Sequence, residues 1–366
     1  MRNLDDFFWM QEEEARRHPG LFPVQIPLEW RRRVWRSLRQ NMENRQKLVG
    51  VGLGAGLLGA AFLTLKYAIR PPTKSRVPDA ISPAIFATKV LHTSLGAMVY
   101  HESGAGVPLV FIHSVGLGSS SYEWSKVYPG FATNHRVLAP DLIGFGESAR
   151  PSGKMTPAEQ SRTIAEFLRA TCDEPAILVG SGLGGAFCVL VASQHPELVS
   201  RLVLLMPTGL AEFGHQRLPL PTRMLGRTRV LNRFLYRNHL ATRSGQRTLL
   251  ERHGFANPAN VTEEAIDVFT TCAQQAGAEH AMLNLLSGRL SFDLEPRMKS
   301  LTQPVTLLWG EKVSFPPLEW AFRWQAMLER SRLVTLPNVA AMAALEDPET
   351  IIRELGAELS GELRVA

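Results

Sequence analysis

The stretch Leu178-Val179-Gly180-Ser181-Gly182-Leu183-Gly184-Gly185 decides the fold of this chain. The apolar run that leads into it is typical of a buried strand, and the apolar run that follows has the length of a helix. The glycines between the two runs predict a tight turn, because glycine tolerates backbone conformations and close approaches that other residues do not. The stretch therefore predicts a strand, a sharp turn and a helix.

Strand-like and helix-like runs alternate on both sides of this stretch. After a hairpin within residues 89–101, the predicted strands are residues 108–113, 137–140, 175–180, 201–207, 304–310 and 332–337, and the predicted helices are residues 156–170, 183–194, 317–328 and 347–360. Near-continuous apolar strands that alternate with helices indicate an α/β fold with a mostly parallel sheet covered on both faces. We assign residues 88–208 and 297–366 to this core and the largely helical residues 209–296 to an inserted cap.

An uncharged apolar segment precedes the core. Residues 48–65 contain no charged side chain, and the segment extends to residue 69 if Lys66 reaches the interface. A helix of about 22 residues at ~1.5 Å each is ~33 Å long, which matches the hydrocarbon thickness of a bilayer. We predict a transmembrane signal anchor at residues 48–69 and a linker at residues 70–87. Gly52 and Gly56 have a spacing that lets a second helix approach. A buried Gly-rich core helix is the alternative.

The N-terminal residues 1–47 contain a basic amphipathic segment at about residues 28–47. Its tryptophans and arginines match a helix lying on an anionic membrane surface: Trp30, Arg31, Arg32, Arg33, Trp35, Arg36 and Arg39. An ordinary solvated helix is the alternative. Seven positive charges shortly before the span and four after it predict a cytoplasmic N-terminus, with the large domain on the opposite, periplasmic or lumenal, side.

Charge and cysteine content exclude some classes of protein and partner. The net charge is +6, and residues 1–90 hold 15 Lys and Arg against 8 Asp and Glu, so the excess lies in the membrane-proximal segment. The three cysteines form no CxxC pair, which argues against a disulfide framework and a zinc site. We expect no metal, no cofactor and no nucleic-acid partner.

A second basic cluster lies in the predicted cap. Between residues 217 and 252, nine arginines accompany one acid, Glu251. Arg223, Arg227 and Arg237 fall near helical spacing with apolar residues between them. This pattern predicts a surface that contacts lipid headgroups or an acidic partner subunit, and a solvated cap face is the alternative.

Further motifs accompany the opening stretch. They are the strand-ending His113, the run Asp141-Leu142-Ile143-Gly144-Phe145-Gly146-Glu147-Ser148, the run Trp309-Gly310-Glu311-Lys312 and the run Leu345-Glu346-Asp347-Pro348-Glu349. Together they resemble the α/β-hydrolase superfamily, and within it the haloalkane dehalogenases and epoxide hydrolases with a helical cap. The resemblance implies an eight-stranded sheet with helices on both faces and a cap inserted after the sixth strand.

The resemblance also implies three catalytic positions, and the sequence departs from the family at each. The nucleophile position of the turn is Gly182, the acid position after the seventh strand is Val313, and the base position after the eighth strand is Ala341. The backbone N–H groups of Val115 and Leu183 remain as oxyanion donors. Ser181 stands one residue early, and the alternation of side chains along a strand predicts that it points away from the pocket floor.

The stretch from Gly180 to Gly185 also fits the dinucleotide pattern G-x-G-x-x-G. The strand predicted at residues 201–207 ends without the acidic residue that would bind a ribose, so we expect no nucleotide.

These observations predict a membrane-anchored α/β-hydrolase-fold pseudoenzyme. It would act as a scaffold, binding or accessory subunit within a membrane protein complex, with a former active-site pocket able to hold a hydrophobic ligand. Losing a catalytic triad removes about 10⁶ in rate and leaves ~10³–10⁴ from the oxyanion hole and binding. The alternative is a hydrolase acting on a hydrophobic ester, epoxide or haloalkane with relocated catalytic groups.

Overall fold

A computed structural model describes residues 86–153, 155–210, 233, 235–286, 288–290 and 292–360. Eight strands form one sheet: β1 Ala87–Thr93, β2 Gly96–Ser103, β3 Pro108–Ile112, β4 Arg136–Pro140, β5 Ala176–Ser181, β6 Val199–Leu205, β7 Val305–Gly310 and β8 Ser331–Leu336. Their order is β1-β2-β4-β3-β5-β6-β7-β8. Strand β2 pairs antiparallel with β1 and β4, and the other neighbours pair in parallel. The predicted eight-stranded, mostly parallel sheet is confirmed.

Helices connect the parallel strands and make up much of the described part of the insertion between β6 and β7. They are α1 Pro157–Thr171, α2 Gly182–Gln194, α3 Arg243–Leu249, α4 Glu263–Gln274, α5 Ala278–Leu286, α6 Glu295–Met298, α7 Glu319–Met327, α8 Ala343–Glu346 and α9 Pro348–Leu359. Short helical turns lie at Ser121–Trp124, Tyr128–Phe131, Pro196–Leu198, Tyr236–Leu240, Leu250–Gly254 and Pro258–Asn260. The described part of the predicted cap is thus largely helical.

Helix α1 shows how the sequence sets an element boundary. The Thr156 hydroxyl accepts the Glu159 backbone N–H at 3.3 Å, and the Glu159 carboxylate accepts the Thr156 backbone N–H at 2.8 Å. This capping box satisfies two donors that a helix start otherwise leaves unpaired. Ile164, Phe167 and Leu168 are buried on one face, which therefore packs against the sheet.

The core lies around the central parallel strands. All five residues of β3 and all six of β7 are buried, as a sheet covered on both faces requires. The Phe111 ring of β3 lies 5.4 Å from the Trp124 ring and 6.0 Å from the Tyr128 ring, measured between centroids. Each fully buried apolar side chain of this size contributes about 1.5–3 kcal/mol, so this packing fixes the helical turns that follow β3.

The turn between β5 and α2 brings two backbones together. A Cβ atom on Gly184 would lie 2.1 Å from the His113 carbonyl oxygen, and one on Gly180 would lie 2.7 Å from the Gly185 Cα. Gly182 has φ +50°, and its carbonyl accepts the Thr208 backbone N–H at 3.1 Å. Glycine is required here because the helix begins against the end of β3.

Within the described part of the chain, no helix combines the length and hydropathy of a membrane span. The predicted anchor at residues 48–69 and the predicted basic helix at residues 28–47 lie outside the described residues. Arg223 and Arg227 of the cap lie outside them as well.

Candidate functional site

A cavity of about 190 Å³ lies where several parallel strands end. Such crevices at the carboxyl ends of strands are the usual ligand sites of open α/β sheets. Most of its described lining is apolar, with hydroxyl groups as its polar side chains: Ser114, Val115, Ser181, Gly182, Leu183, Met206, Thr208, Gly209, Leu285, Leu290, Phe292, Val313, Phe315, Pro316, Ala341 and Met342.

All three catalytic positions that the resemblance implies line this one cavity. Gly182 contributes its backbone from the β5–α2 turn, Val313 follows β7, and Ala341 follows β8. The frame of a catalytic site is therefore assembled as the motif spacing predicts. Hydrogen, isopropyl and methyl side chains stand where a nucleophile, an acid and a base would be needed, and none of them transfers a proton.

The Ser114 hydroxyl lies beside Gly182, the residue at the position that the resemblance assigns to a nucleophile. A Cβ atom built on Gly182 would lie 2.5 Å from Ser114 Oγ and 3.3 Å from Ser114 Cβ. These distances are shorter than van der Waals contact, so the Ser114 side chain occupies the space in which a residue larger than glycine would begin. Residues 114 and 182 are thus sterically coupled.

The two predicted oxyanion positions both border the cavity. Val115 follows Ser114, and Leu183 lies in the first turn of α2. Backbone N–H groups in the first turn of a helix lack an intrahelical acceptor, so the Leu183 N–H remains a donor for a ligand. The Ser114 N–H is already used, because it donates to Glu123 Oε2 at 2.7 Å.

Glu123 is a buried acid that the sequence reasoning did not select. Glu123 is 2% exposed, and burial raises its pKa to about 7, opposed by the nearby Ser181 hydroxyl and by the hydrogen bond from the Ser114 N–H. Its Oε1 atom accepts no hydrogen bond from the described residues. The sequence feature that could have identified it is an acidic residue between Tyr122 and Trp124, in a turn that follows a buried strand.

Ser181 differs from the prediction that it points away from the pocket floor. The residue lines the cavity, and its hydroxyl interacts with the Glu123 carboxyl. The simple alternation along a strand fails here because β5 ends at Ser181 and α2 begins at Gly182. The structure thus brings together a hydroxyl and an acid whose pKa lies near neutrality.

His113 is a structural residue. Its Nε2 accepts the Leu142 backbone N–H at 2.9 Å, which leaves Nδ1 to carry the proton and donate to the Ser114 carbonyl at 2.6 Å. Burial lowers the pKa of the imidazole, so it stays neutral. Both ring nitrogens are committed to backbone groups, so His113 ties the end of β3 to the loop after β4.

The loops that carry the other two positions are fixed by hydrogen bonds. The Glu346 carboxylate accepts backbone N–H groups from Ala340 at 3.0 Å, Ala256 at 3.1 Å and Asn257 at 3.0 Å. The indole N–H of Trp309 donates to the Pro316 carbonyl at 3.2 Å. Glu346 therefore joins the loop before Ala341 to the cap.

Four of the described arginines of the cap are engaged in ion pairs. Arg233 lies 2.9 Å and Arg237 3.6 Å from the buried carboxylate of Glu279, and both Arg243 and Arg247 pair with Glu263. The acids come from α4 and α5, outside the segment in which only Glu251 was counted. Arg237 was predicted as a partner contact, but its charge is partly balanced by an ion pair inside the cap.

Comparison with known proteins agrees with the fold. Residues 107–348 match the alpha/beta hydrolase fold family, and this chain therefore belongs to that family.

Two curated relatives and one solved structure illustrate the similarity. The chain is 28% identical over 261 residues to 2-hydroxy-6-oxo-6-(2'-aminophenyl)hexa-2,4-dienoic acid hydrolase of Metapseudomonas resinovorans, covering 68% of this chain and 83% of that protein. It is 40% identical over 117 residues to 2-hydroxymuconate semialdehyde hydrolase of Pseudomonas sp. strain CF600, covering 30% of this chain and 40% of that protein. A serine hydrolase involved in carbazole degradation has a similar fold, with a TM-score of 0.62, 24% identity and coverage of 75% of this chain and 99% of that one.

These relatives change the subgroup of the superfamily to which the chain is compared. The superfamily is confirmed, while the cited curated relatives are hydrolases of dienoic acid and semialdehyde compounds by name, rather than haloalkane dehalogenases. Their names also favour hydrolysis over a scaffold role. The positions that the resemblance assigns to the catalytic groups nevertheless hold Gly182, Val313 and Ala341.

Replacing Glu123 by Gln is expected to change how stability depends on pH. The folded-state pKa rises from 4.5 to about 7, so the folded protein holds a proton that the unfolded chain releases, and this contribution is lost as pH rises through that range. Across this pH range the free energy of unfolding changes by about 3 kcal/mol at most, at ~1.4 kcal/mol per pKa unit. Relative to the native protein, Glu123→Gln should gain unfolding free energy between pH 5 and pH 8 in urea titrations. The exposed control Glu329→Gln should show no such gain. An equal pH response of both variants would contradict the raised pKa of Glu123.

Proposed function

We propose that the cavity binds a small, mainly apolar molecule and that the protein is a binding member of its hydrolase family that works without a Ser-His-acid triad. One observation carries the proposal: Gly182, Val313 and Ala341 line the same cavity. The pocket lies at the strand ends, as a ligand site of this fold does. The three positions that supply the nucleophile, acid and base in the family hold no side chain that could carry out such chemistry. Binding requires only the pocket.

The lining indicates the kind of ligand. An apolar cavity of about 150 Å³ holds a benzene-sized molecule, so the 190 Å³ here suits a single ring or a short acyl chain. Among the described lining residues none is Arg, Lys or His, so an anionic group would lack a counter-charge. The hydroxyls of Ser114, Ser181 and Thr208 suit a neutral carbonyl or ester group. A neutral ester therefore fits this lining better than a dienoic acid of the kind in the relatives' names.

Filling the cavity is expected to abolish binding. Ala341→Leu adds three carbon atoms inside the pocket and should weaken the binding of phenyl acetate by at least about tenfold, since shape misfit in a packed site costs over 1 kcal/mol. Isothermal titration calorimetry on the full chain measures this. Ala357→Leu, on α9 and outside the described lining, is the matched control. The proposal fails if the native protein does not bind the ester, or if Ala341→Leu binds it equally well.

A second candidate is hydrolysis by relocated groups, which the names of the relatives favour. The Ser181 hydroxyl would attack an ester carbonyl and its proton would pass to the Glu123 carboxylate. That proton would have to reach the leaving alcohol as the tetrahedral intermediate collapses, and water would then hydrolyse the acyl-Ser181 ester. A carboxyl with a pKa of about 7 has the basicity that general-base catalysis needs at neutral pH. Against this candidate, the described lining supplies no histidine to return the proton to the leaving group.

A fluorophosphonate probe separates the two candidates. The binding proposal expects no stoichiometric labelling of the full chain and no saturable hydrolysis of p-nitrophenyl acetate, because the described residues that line the cavity beside Ser181 include no histidine to activate a serine as in a triad. Labelling that is lost in Ser181→Ala and kept in the exposed control Ser300→Ala would establish the second candidate instead.

We also propose that residues 48–69 anchor the domain to a membrane. Support comes from the length and apolar composition of that segment and from its basic flanks. The domain would then lie on the periplasmic or lumenal side, where a membrane subunit serves as its partner. The full chain is expected to stay in the pellet after alkaline carbonate extraction, and a variant lacking residues 48–69 is expected in the supernatant. A full chain found in the supernatant would exclude the anchor.

A further inference from the structure

Three metal-ligating side chains converge away from the cavity. His101 lies on β2, Asp141 directly follows β4, and Glu147 lies on the loop after it. One ring nitrogen of His101 and one carboxylate oxygen from each acid all lie within 4.8 Å of one another. None of the three residues is part of the described cavity lining, so the cluster is separate from the candidate ligand site.

The His101 ring has a free coordinating atom. The side chain is 1% exposed, its Nδ1 lies 3.2 Å from the Thr88 hydroxyl, and its Nε2 has no hydrogen-bond partner in the structure. A buried polar atom without a partner costs about 1–3 kcal/mol, so an unpaired Nε2 needs an explanation. Burial also lowers the pKa of His101, which keeps the imidazole neutral and its lone pair available.

The Asp141 carboxylate is held in place by the backbone. Its Oδ1 accepts the Ser121 N–H at 2.6 Å, and its Oδ2 accepts the Glu147 N–H at 2.7 Å. Each oxygen keeps a lone pair for a further interaction. Such hydrogen bonds orient a carboxylate in the way that supporting contacts orient the ligands of known metal centres.

Charge balance leaves room for a cation. Arg150 donates to the Gly146 and Ser148 carbonyls, which fixes the loop that carries Glu147, and its guanidinium interacts electrostatically with both acids. One positive charge therefore faces two carboxylates and a neutral imidazole. A divalent ion would change the net charge of the site from −1 to +1 and would be bound by one ring nitrogen of His101.

We propose that His101, Asp141 and Glu147 form a binding site for a divalent transition metal of the Zn²⁺ class. One imidazole nitrogen and two carboxylate oxygens are a donor set that Zn²⁺ accepts, whereas Mg²⁺ and Ca²⁺ prefer oxygen donors alone. Ligand atoms around tetrahedral Zn²⁺ lie about 3.4 Å apart at bond lengths of ~2.1 Å, so the present spacing of at most 4.8 Å must contract by up to about 1.4 Å. Glu147 is only partly buried on its loop, so it can supply both this movement and a route of entry.

The site is tested by titrating the EDTA-treated full chain with ZnCl₂ in a calorimeter. We expect one equivalent of Zn²⁺ to bind, with affinity at least about 100-fold lower in His101→Gln and in Glu147→Gln, since even supporting residues of metal sites contribute 10–100-fold. The exposed control His92→Gln should bind as the native protein does. MgCl₂ should give no comparable heat. No stoichiometric binding by the native protein, or unchanged binding in folded His101→Gln and Glu147→Gln, would refute the site.

Cobalt supplies a measurement that needs no variant. Co²⁺ bound by this site should give visible absorption bands of a nitrogen- and oxygen-liganded ion without thiolate charge-transfer absorption. Thiolate bands would assign the bound metal to cysteine and overturn the proposal even where the variants fail to fold. The readout is independent of the cavity, so failure here leaves the proposed ligand binding untouched, and the reverse holds as well.

Discussion

The contact between the start of α2 and the end of β3 determines the geometry of the site. At Gly184 the helix backbone comes so close to the His113 carbonyl that no side chain fits between them. This approach gives Gly182 its positive φ angle and brings Ser114 against it. It also directs the first turn of α2, with its free N–H groups, toward the cavity. Every other feature of the pocket is arranged around this contact.

The sequence predicted the fold, and it selected three residues that line one cavity, because both inferences depend on local information. Strand and helix periods are read within a few residues, and motif spacing locates Gly182, Val313 and Ala341. The features that it missed depend on contacts between distant parts of the chain. Burial raises the pKa of Glu123 only once the turn after β3 has packed, and His101 meets Asp141 only through the pairing of β2 with β4. The ion pairs of Arg233 and Arg237 likewise need an acid, Glu279, from a later helix.

A pocket without a triad is compatible with an ordered domain. A residue other than glycine at a strained turn costs on the order of 1–3 kcal/mol, and Gly182 at φ +50° avoids that cost. The bonds made by Glu346 and Trp309 hold the neighbouring loops whether or not those loops carry catalytic side chains. The structure has thus kept the interactions that shape the pocket, which are the ones that ligand binding uses. Membership of a hydrolase family accounts for the shape of the pocket and leaves its chemistry to the residues in it.

The position of the Ser114 hydroxyl also limits which residues position 182 can accept. A serine placed at position 182 alone would set its Cβ 2.5 Å from Ser114 Oγ, so it would be accommodated only after residue 114 rotates or changes. Building a triad in this frame would need this adjustment as well as new residues at positions 313 and 341. Because the members of a triad act as a unit, each change alone would bring little gain in turnover. The three positions are thus coupled, and the benefit of a change at one of them depends on the residues at the others.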